Sequence, residues 1–170
     1  LLNGLKENVN FKDFVLITLI HVTVGEVAFG TSPGSATIMA TLRAFNDDDM
    51  ALLSSNAVNA SSQIANNHGL EITTSFTDDY PASVCNPELT HLMESVCGET
   101  NRSVVYLDTP NRWSEDFAHF TACCPSLIFG LGSGENQPDI HSPDYDFPDS
   151  IIMDGVELME TIARKLTKKS

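Results

Sequence analysis

Basic side chains are scarce in this 170-residue sequence: 9 Lys and Arg stand against 23 Asp and Glu, a formal net charge of −14. Such a surface repels phosphate backbones and anionic headgroups, which excludes a general nucleic-acid or polybasic membrane role. Long apolar runs are missing as well. The longest candidate, Phe14 to Val24, is interrupted by Thr18, His21 and Thr23, and a bilayer span needs about 20 apolar residues. Cys85, Cys97, Cys123 and Cys124 form no CxxC pair and no metal-ribbon spacing. They read as small buried thiols of a reducing, cytoplasmic setting, although the vicinal Cys123-Cys124 pair also admits a redox disulfide. Neither a charged leader nor a signal-type apolar segment follows Leu1-Leu2. A start at leucine is expected to be a processed, trimmed or cloned end.

What is present is ordinary globular material, 42% hydrophobic, enough for one domain or two small ones. Four of the nine cations (Arg164, Lys165, Lys168, Lys169) close the chain, leaving Lys6, Lys12, Arg43, Arg102 and Arg112 inside an acidic body. Leu2 to Glu7 reads as the end of a helix. Phe14 to Val24 reads as a strand, Gly25 to Gly34 as a turn, and Ser35 to Phe45 as a strand that alternates Ala36, Ile38, Ala40, Leu42 and Ala44 against Thr37, Met39, Thr41, Arg43 and Phe45. Asn46 to Asp49 suits a helix N-terminus, and Gly69 a C-terminal stop. Leu70 to Phe76 reads as a further strand. The order α-β-β-α-β is a split β-α-β module without its first strand, which leaves a sheet edge or gap unpaired. The chain is therefore expected to begin inside a larger protein. Beyond Pro81 the pattern predicts a helix at 87–96, a strand at 102–107, a polar loop at 108–116, a helix at 117–123, a strand at 125–131, a long acidic loop at 132–150 and an amphipathic terminal helix.

Three places could carry chemistry. His141 sits in the acidic loop with Asp139, Asp144, Asp146 and Asp149 nearby. A neutral imidazole there can ligate a metal, and it can equally be an exposed loop residue. Glu115 and Asp116 lie at the carboxyl end of a predicted strand, where open α/β sheets place ligand crevices, or they cap the following helix. Arg43 can pair with an acid or grip a substrate carboxylate with its bidentate fork. His21 reads as packed or interfacial.

The runs SEDF (114–117), PSLIFGLGSG (125–134) and HSPDYDFPDSII (141–152), in this order, resemble the C-terminal end of the zinc-dependent M-twenty metallopeptidases. These are the aminoacylase, carboxypeptidase and N-acyl-amino-acid amidohydrolase family, with the hippurate and auxin-conjugate hydrolases most alike. GEVAFGTSPGSATIMATLR (25–43) resembles the hairpin of the family's lid, and YPASVCNPEL (80–89) the return from lid to catalytic domain. The resemblance implies a ferredoxin-like α+β lid, commonly the dimerisation domain, partly present at 1–78 and lacking its first strand. It implies that 79–170 is the C-terminal half of an α/β zinc-exopeptidase-type catalytic domain.

The same resemblance makes His141 the C-terminal metal ligand, Arg43 a grip for substrate carboxylate, and Glu115 and Asp116 catalytic residues lining the metal cleft. It places Gly30 and Thr31 among the substrate-binding residues. Gly30 stands where the family usually has asparagine, so a backbone N–H or the hydroxyl of Thr31 or Ser32 would take over that contact. The implied cofactor is zinc or a similar divalent metal, two per complete active site, with the other ligands upstream. The implied function is hydrolysis of an amide bond in an N-acyl amino acid or small peptide by a cytoplasmic homodimer, with this portion inactive alone. The alternative is a non-catalytic dimerisation or interaction module derived from the family.

Overall fold

The computed structural model describes residues 2–6 and 9–167. It is a mixed α/β structure with one antiparallel two-stranded sheet and four α-helices. The strands are β1 (Val15–Val24) and β2 (Ala36–Ala44); the helices are α1 (Asp47–Asn67), α2 (Pro87–Glu99), α3 (Ala118–Cys123) and α4 (Ile152–Thr167). Short 3₁₀ turns occupy Leu2–Lys6 and Asp149–Ile151, so the opening stretch is a 3₁₀ turn rather than the end of an α-helix. The chain divides into two compact units, 1–82 with 110–114, and 83–109 with 115–170. Among the described residues no helix is long and apolar enough to cross a membrane.

In the first unit the hairpin runs in register from Val15 opposite Ala44 to Val24 opposite Ala36. A bulge interrupts it: Leu19 pairs with Ala40 and His21 with Met39, so Ile20 is extra. The Gly25 N–H donates to Ser35 O at 2.8 Å and closes the loop. Gly25 has φ +55°, and a Cβ there would lie 2.7 Å from Pro33 Cβ, so this position requires glycine. Burial on β2 follows its length rather than its alternating faces. Residues 36–40 are exposed and 41–44 half-buried, the half-buried end being the one that leads into α1, against which β2 packs.

Helix α1 begins where the acids are. Asn46 accepts the Asp49 N–H at 2.9 Å and returns its amide to the Asp49 carboxylate at 2.7 Å, a reciprocal cap. The same carboxylate accepts the backbone N–H groups of Lys12 and Asp13, each at 2.9 Å. Asp49 is thereby buried and ties the approach to β1 onto the helix start. At the other end Gly69 (φ +66°) donates to Asn66 O and Leu70 donates to Ala65 O, the paired bonds of a Schellman stop.

Burial opposes ionisation of Asp49, but the hydrogen bonds from Lys12, Asn46 and Asp13, with the Lys12 charge, outweigh it and hold the carboxyl below its ordinary 3.8. The folded chain then binds this proton more weakly than the unfolded chain does. The contribution is complete above the ordinary value and fades as pH falls through the depressed folded one. Asp49→Asn should lower the thermal midpoint near neutral pH and make no difference in strong acid. Melts of both chains across the acid range check this, and an equal offset at every pH would contradict it.

The second unit is built on α2 and α4. Met93, Val96 and Cys97 pack with Leu158, flanked by Leu127, Phe129 and Ile162, and each full burial of such a side chain contributes about 1.5–3 kcal/mol. Asn86 caps α2 by accepting the Leu89 N–H at 3.0 Å, with Pro87 at the first helical position. Asn101 (φ +54°) ends it with the same stop as α1, Arg102 N–H to Cys97 O at 2.8 Å and Asn101 N–H to Gly98 O at 3.3 Å. Arg102 then reaches α4, donating to Asp154 and Glu157 at 2.6 Å each, and Lys165 pairs with Glu99 at 2.6 Å. The terminal lysines Lys168 and Lys169 lie outside the described residues.

The expected strands at 70–76, 102–107 and 125–131 are not strands among the described residues. A strand exists only through the ladder it makes with a neighbour, and these segments have none. Side chains of the first two stay largely in water, Ile72 44% exposed, Val105 81% and Leu107 66%, whereas 125–131 is held by Leu127 and Phe129 against the α2–α4 core without forming a ladder. The thiol expectation is also revised. Cys97 is buried and Cys85 half-buried, while Cys123 and Cys124 are exposed and free. Cys123 ends α3 and Cys124 is extended, its Sγ directed to Phe120 O and the Ser126 hydroxyl.

Candidate active-site residues

His141 occupies a tight turn. Ser142 N–H donates to Asp139 O at 2.8 Å, and His141 has φ +76°. A bond from the fourth residue to the first, with positive φ at the third, defines a type II β-turn whose third position favours glycine. The neighbouring turn continues through Tyr145 N–H to Ser142 O at 3.0 Å. Histidine in the left-handed region costs about 1–2 kcal/mol. The imidazole is thus held, exposed, on a backbone that would relax with no side chain at all. Spacing alone gave no warning of this strain.

Glu115 and Asp116 lead into α3, their carbonyls accepting the N–H groups of Ala118 and His119, both at 3.1 Å. The residue at the cap is Phe117, which makes no side-chain cap bond, so neither acid caps the helix. Both are exposed.

Arg43 lies opposite Leu16 on β2, at the half-buried end of the hairpin. Its Nε is buried and has no hydrogen-bond partner, an orphan donor on a group that is always charged. Gly30 (φ +82°) has open space where a Cβ would be. Thr31 turns its hydroxyl to Ala28 O at 3.5 Å and lines an open hollow with Glu26, Ser32 and Ser35. Phe29, between them in the loop, is 99% exposed.

Among the described residues no group of three or more His, Cys, Asp or Glu is placed to hold a metal ion. The acids of the 132–150 loop, read from sequence as neighbours of His141, do not gather into such a group with it. One polar cluster outside the expected site belongs to α2, where the tyrosine contact is the part that sequence reading missed. Glu94 accepts Tyr106 OH at 2.9 Å and lies 3.1 Å from His91 Nδ1. Those two hydrogen bonds hold the Glu94 carboxyl below its ordinary range, and Glu94 in turn pushes the Tyr106 phenol up.

Residues 4–165 match peptidase family M20/M25/M40. An uncharacterized hydrolase of Staphylococcus epidermidis is 24% identical over 168 residues, 96% of this chain and 42% of its own length. The uncharacterized hydrolase y4tI of Sinorhizobium fredii is 25% identical over 144 residues, 81% of this chain and 36% of its own. A crystal structure of a "putative aminohydrolase" from methicillin-resistant Staphylococcus aureus superposes with a TM-score of 0.78 at 22% identity, covering 98% of this chain and 44% of that one. This last is a likeness of fold. The chain spans less than half the length of the relatives it matches.

Proposed function

The chain belongs to peptidase family M20/M25/M40, and from that premise we propose that it is the C-terminal portion of a metal-dependent amidohydrolase or peptidase. The reaction is hydrolysis of an amide bond in an N-acyl amino acid or small peptide. The observation that carries this reading is His141, an imidazole kept at a turn position with φ +76° where glycine is favoured. Strain of this kind persists where the side chain is needed.

A catalytic zinc takes about three protein ligands and a water. Among the described residues the donors do not fit a complete centre, so in this reading His141 is one ligand and the others come from outside this chain. The two unpaired segments of the second unit, 102–107 and 125–131, support the same view, as does the short span relative to its relatives. This chain alone is inactive. Glu115 and Asp116 stand at the cleft. Arg43 receives a substrate carboxylate on its guanidinium fork, and the loop with Gly30 and Thr31 supplies backbone and hydroxyl contacts. Residues 1–78 form a lid and 79–170 half of a catalytic domain. Four free thiols suit a reducing, cytoplasmic setting.

The test is metal content. The complete enzyme with His141→Ala should lose bound zinc and turnover together, and unchanged zinc and turnover would remove the assignment. A second reading, a dimerisation module, is favoured by the outer hairpin, where Leu19, Ile20, Val22 and Ile38 are all about half exposed or more. Homodimerisation through this hairpin belongs to both readings. Equilibrium sedimentation of the complete protein should show a dimer, and a monomer at all concentrations would count against it.

A further inference from the structure

The segment 110–114, though far along the chain, belongs to the first unit. Its contact there is specific. The Arg112 guanidinium carbon lies 4.8 Å from the centroid of the Phe14 ring, within cation–π range, and Phe14 is braced by Phe45 at 4.9 Å between centroids. The two rings stand at the start of β1 and the end of β2, where Phe45 N–H donates to Phe14 O at 3.2 Å. On either side of them the chain is fixed by the Asp49 carboxylate, through Asp13 N–H, and by the Asn46 cap. The neighbouring Asp47 carboxylate also accepts Ala82 N–H at 2.7 Å, at the residue where the chain leaves this unit. One set of contacts therefore holds two of the segments by which the chain enters or leaves the first unit.

We infer that Arg112 is a positioning residue that tethers the 110–114 loop to the Phe14–Phe45 pair and so sets the point from which Glu115 and Asp116 depart. The inference rests on the proposed function for the role of those two acids, while the tether stands on the contacts alone. A cation over a ring face is recognised by its charge and by the ring, so replacements that keep both features keep the tether and those that remove either lose it.

Trp113, the sole tryptophan, is the next residue along the loop and 61% exposed, so its fluorescence anisotropy reports the loop directly. In the 170-residue chain, Arg112→Met and Phe14→Leu should each shift the docked-to-open ratio of the loop by roughly two- to fivefold, seen as a fall in anisotropy. The double variant should fall no further. Arg112→Lys and Phe14→Tyr should stay near the parent, with the far-ultraviolet circular dichroism unchanged throughout. Parent-like anisotropy in Arg112→Met, or equal loss in Phe14→Tyr and Phe14→Leu, would overturn the tether. In the complete enzyme Arg112→Met should lower kcat with KM little changed. Lost anisotropy with an unchanged kcat would overturn the positioning role and leave the proposed function intact. A complete enzyme without amide hydrolysis would overturn both of these and leave the tether to the anisotropy result.

Discussion

Replacing His141 by glycine is expected to raise thermal stability while it removes turnover from the complete enzyme. The gain comes from the turn, where φ +76° costs a β-carbon-bearing residue about 1–2 kcal/mol. Glycine gives part of this back through its freer unfolded chain, about 0.4–1 kcal/mol, so the net gain is on the order of 0.5–1 kcal/mol. In a protein of this size the thermal midpoint should rise by roughly 2–4 °C per kcal/mol. Alanine keeps the steric cost and should leave stability close to that of the parent. The catalytic loss is far larger than either effect. Changes to residues that merely support a metal ligand typically cost 10–100-fold, so removing the ligand should cost more than about 100-fold. A His141→Gly enzyme that is more stable and equally active would show that the strain has no catalytic purpose.

Arg43 should show the opposite separation, between substrate binding and turnover. In the proposed function its guanidinium fork takes the substrate carboxylate, and a hydrogen bond to a charged group is worth about 1.5–3 kcal/mol when made. Arg43→Met should therefore raise KM for substrates with a free α-carboxylate by roughly 10–100-fold. Because the carboxylate is equally charged in ground and transition states, kcat should change little. Substrates with that carboxylate amidated should be indifferent to the substitution. Lysine should restore little, since a point charge does not reproduce the planar fork. Equal losses for free and amidated substrates would show that Arg43 does not read the carboxylate. The chain without substrate should tolerate Arg43→Met, because the change removes an orphan donor rather than a bond.

The helices were legible because their signals are local. Asn46 to Asp49 and Gly69 act within a turn or two, and α1 begins and ends close to where they place it, while α2 opens at Pro87 and α4 follows the loop at 132–150 as the pattern predicts. The hairpin was legible for the same reason, since the glycine-rich connection brings its two strands together directly. Segments 70–76, 102–107 and 125–131 have the composition of strands, but a ladder needs a second segment, and composition does not supply one. Arg43, Glu115, Asp116 and His141 were found through motif order rather than through spacing. What made them informative, the positive φ at His141, the orphan Nε at Arg43 and the absence of capping at Glu115-Asp116, is a matter of three-dimensional surroundings. The same holds for Asp49 and Arg112. The acidic run 47–49 looked uniform, yet Asp47 holds Ala82, Asp48 pairs with Lys12, and Asp49 is buried among three donors. The scarce internal cations likewise separate by contact: Arg102 joins α2 to α4, Lys12 pairs, and Arg112 stacks. Arg43 differs from them in holding its Nε buried without a partner.

The most direct measurement is the release of free amino acid from an N-acyl amino acid by two proteins side by side. One is the 170-residue chain, and the other is the same chain joined to the proposed N-terminal half. The chain alone should release none, and the joined protein should release it in a reaction that chelator abolishes and zinc restores. Hydrolysis by the 170 residues alone, or chelator-resistant hydrolysis by the joined protein, would contradict the proposed function.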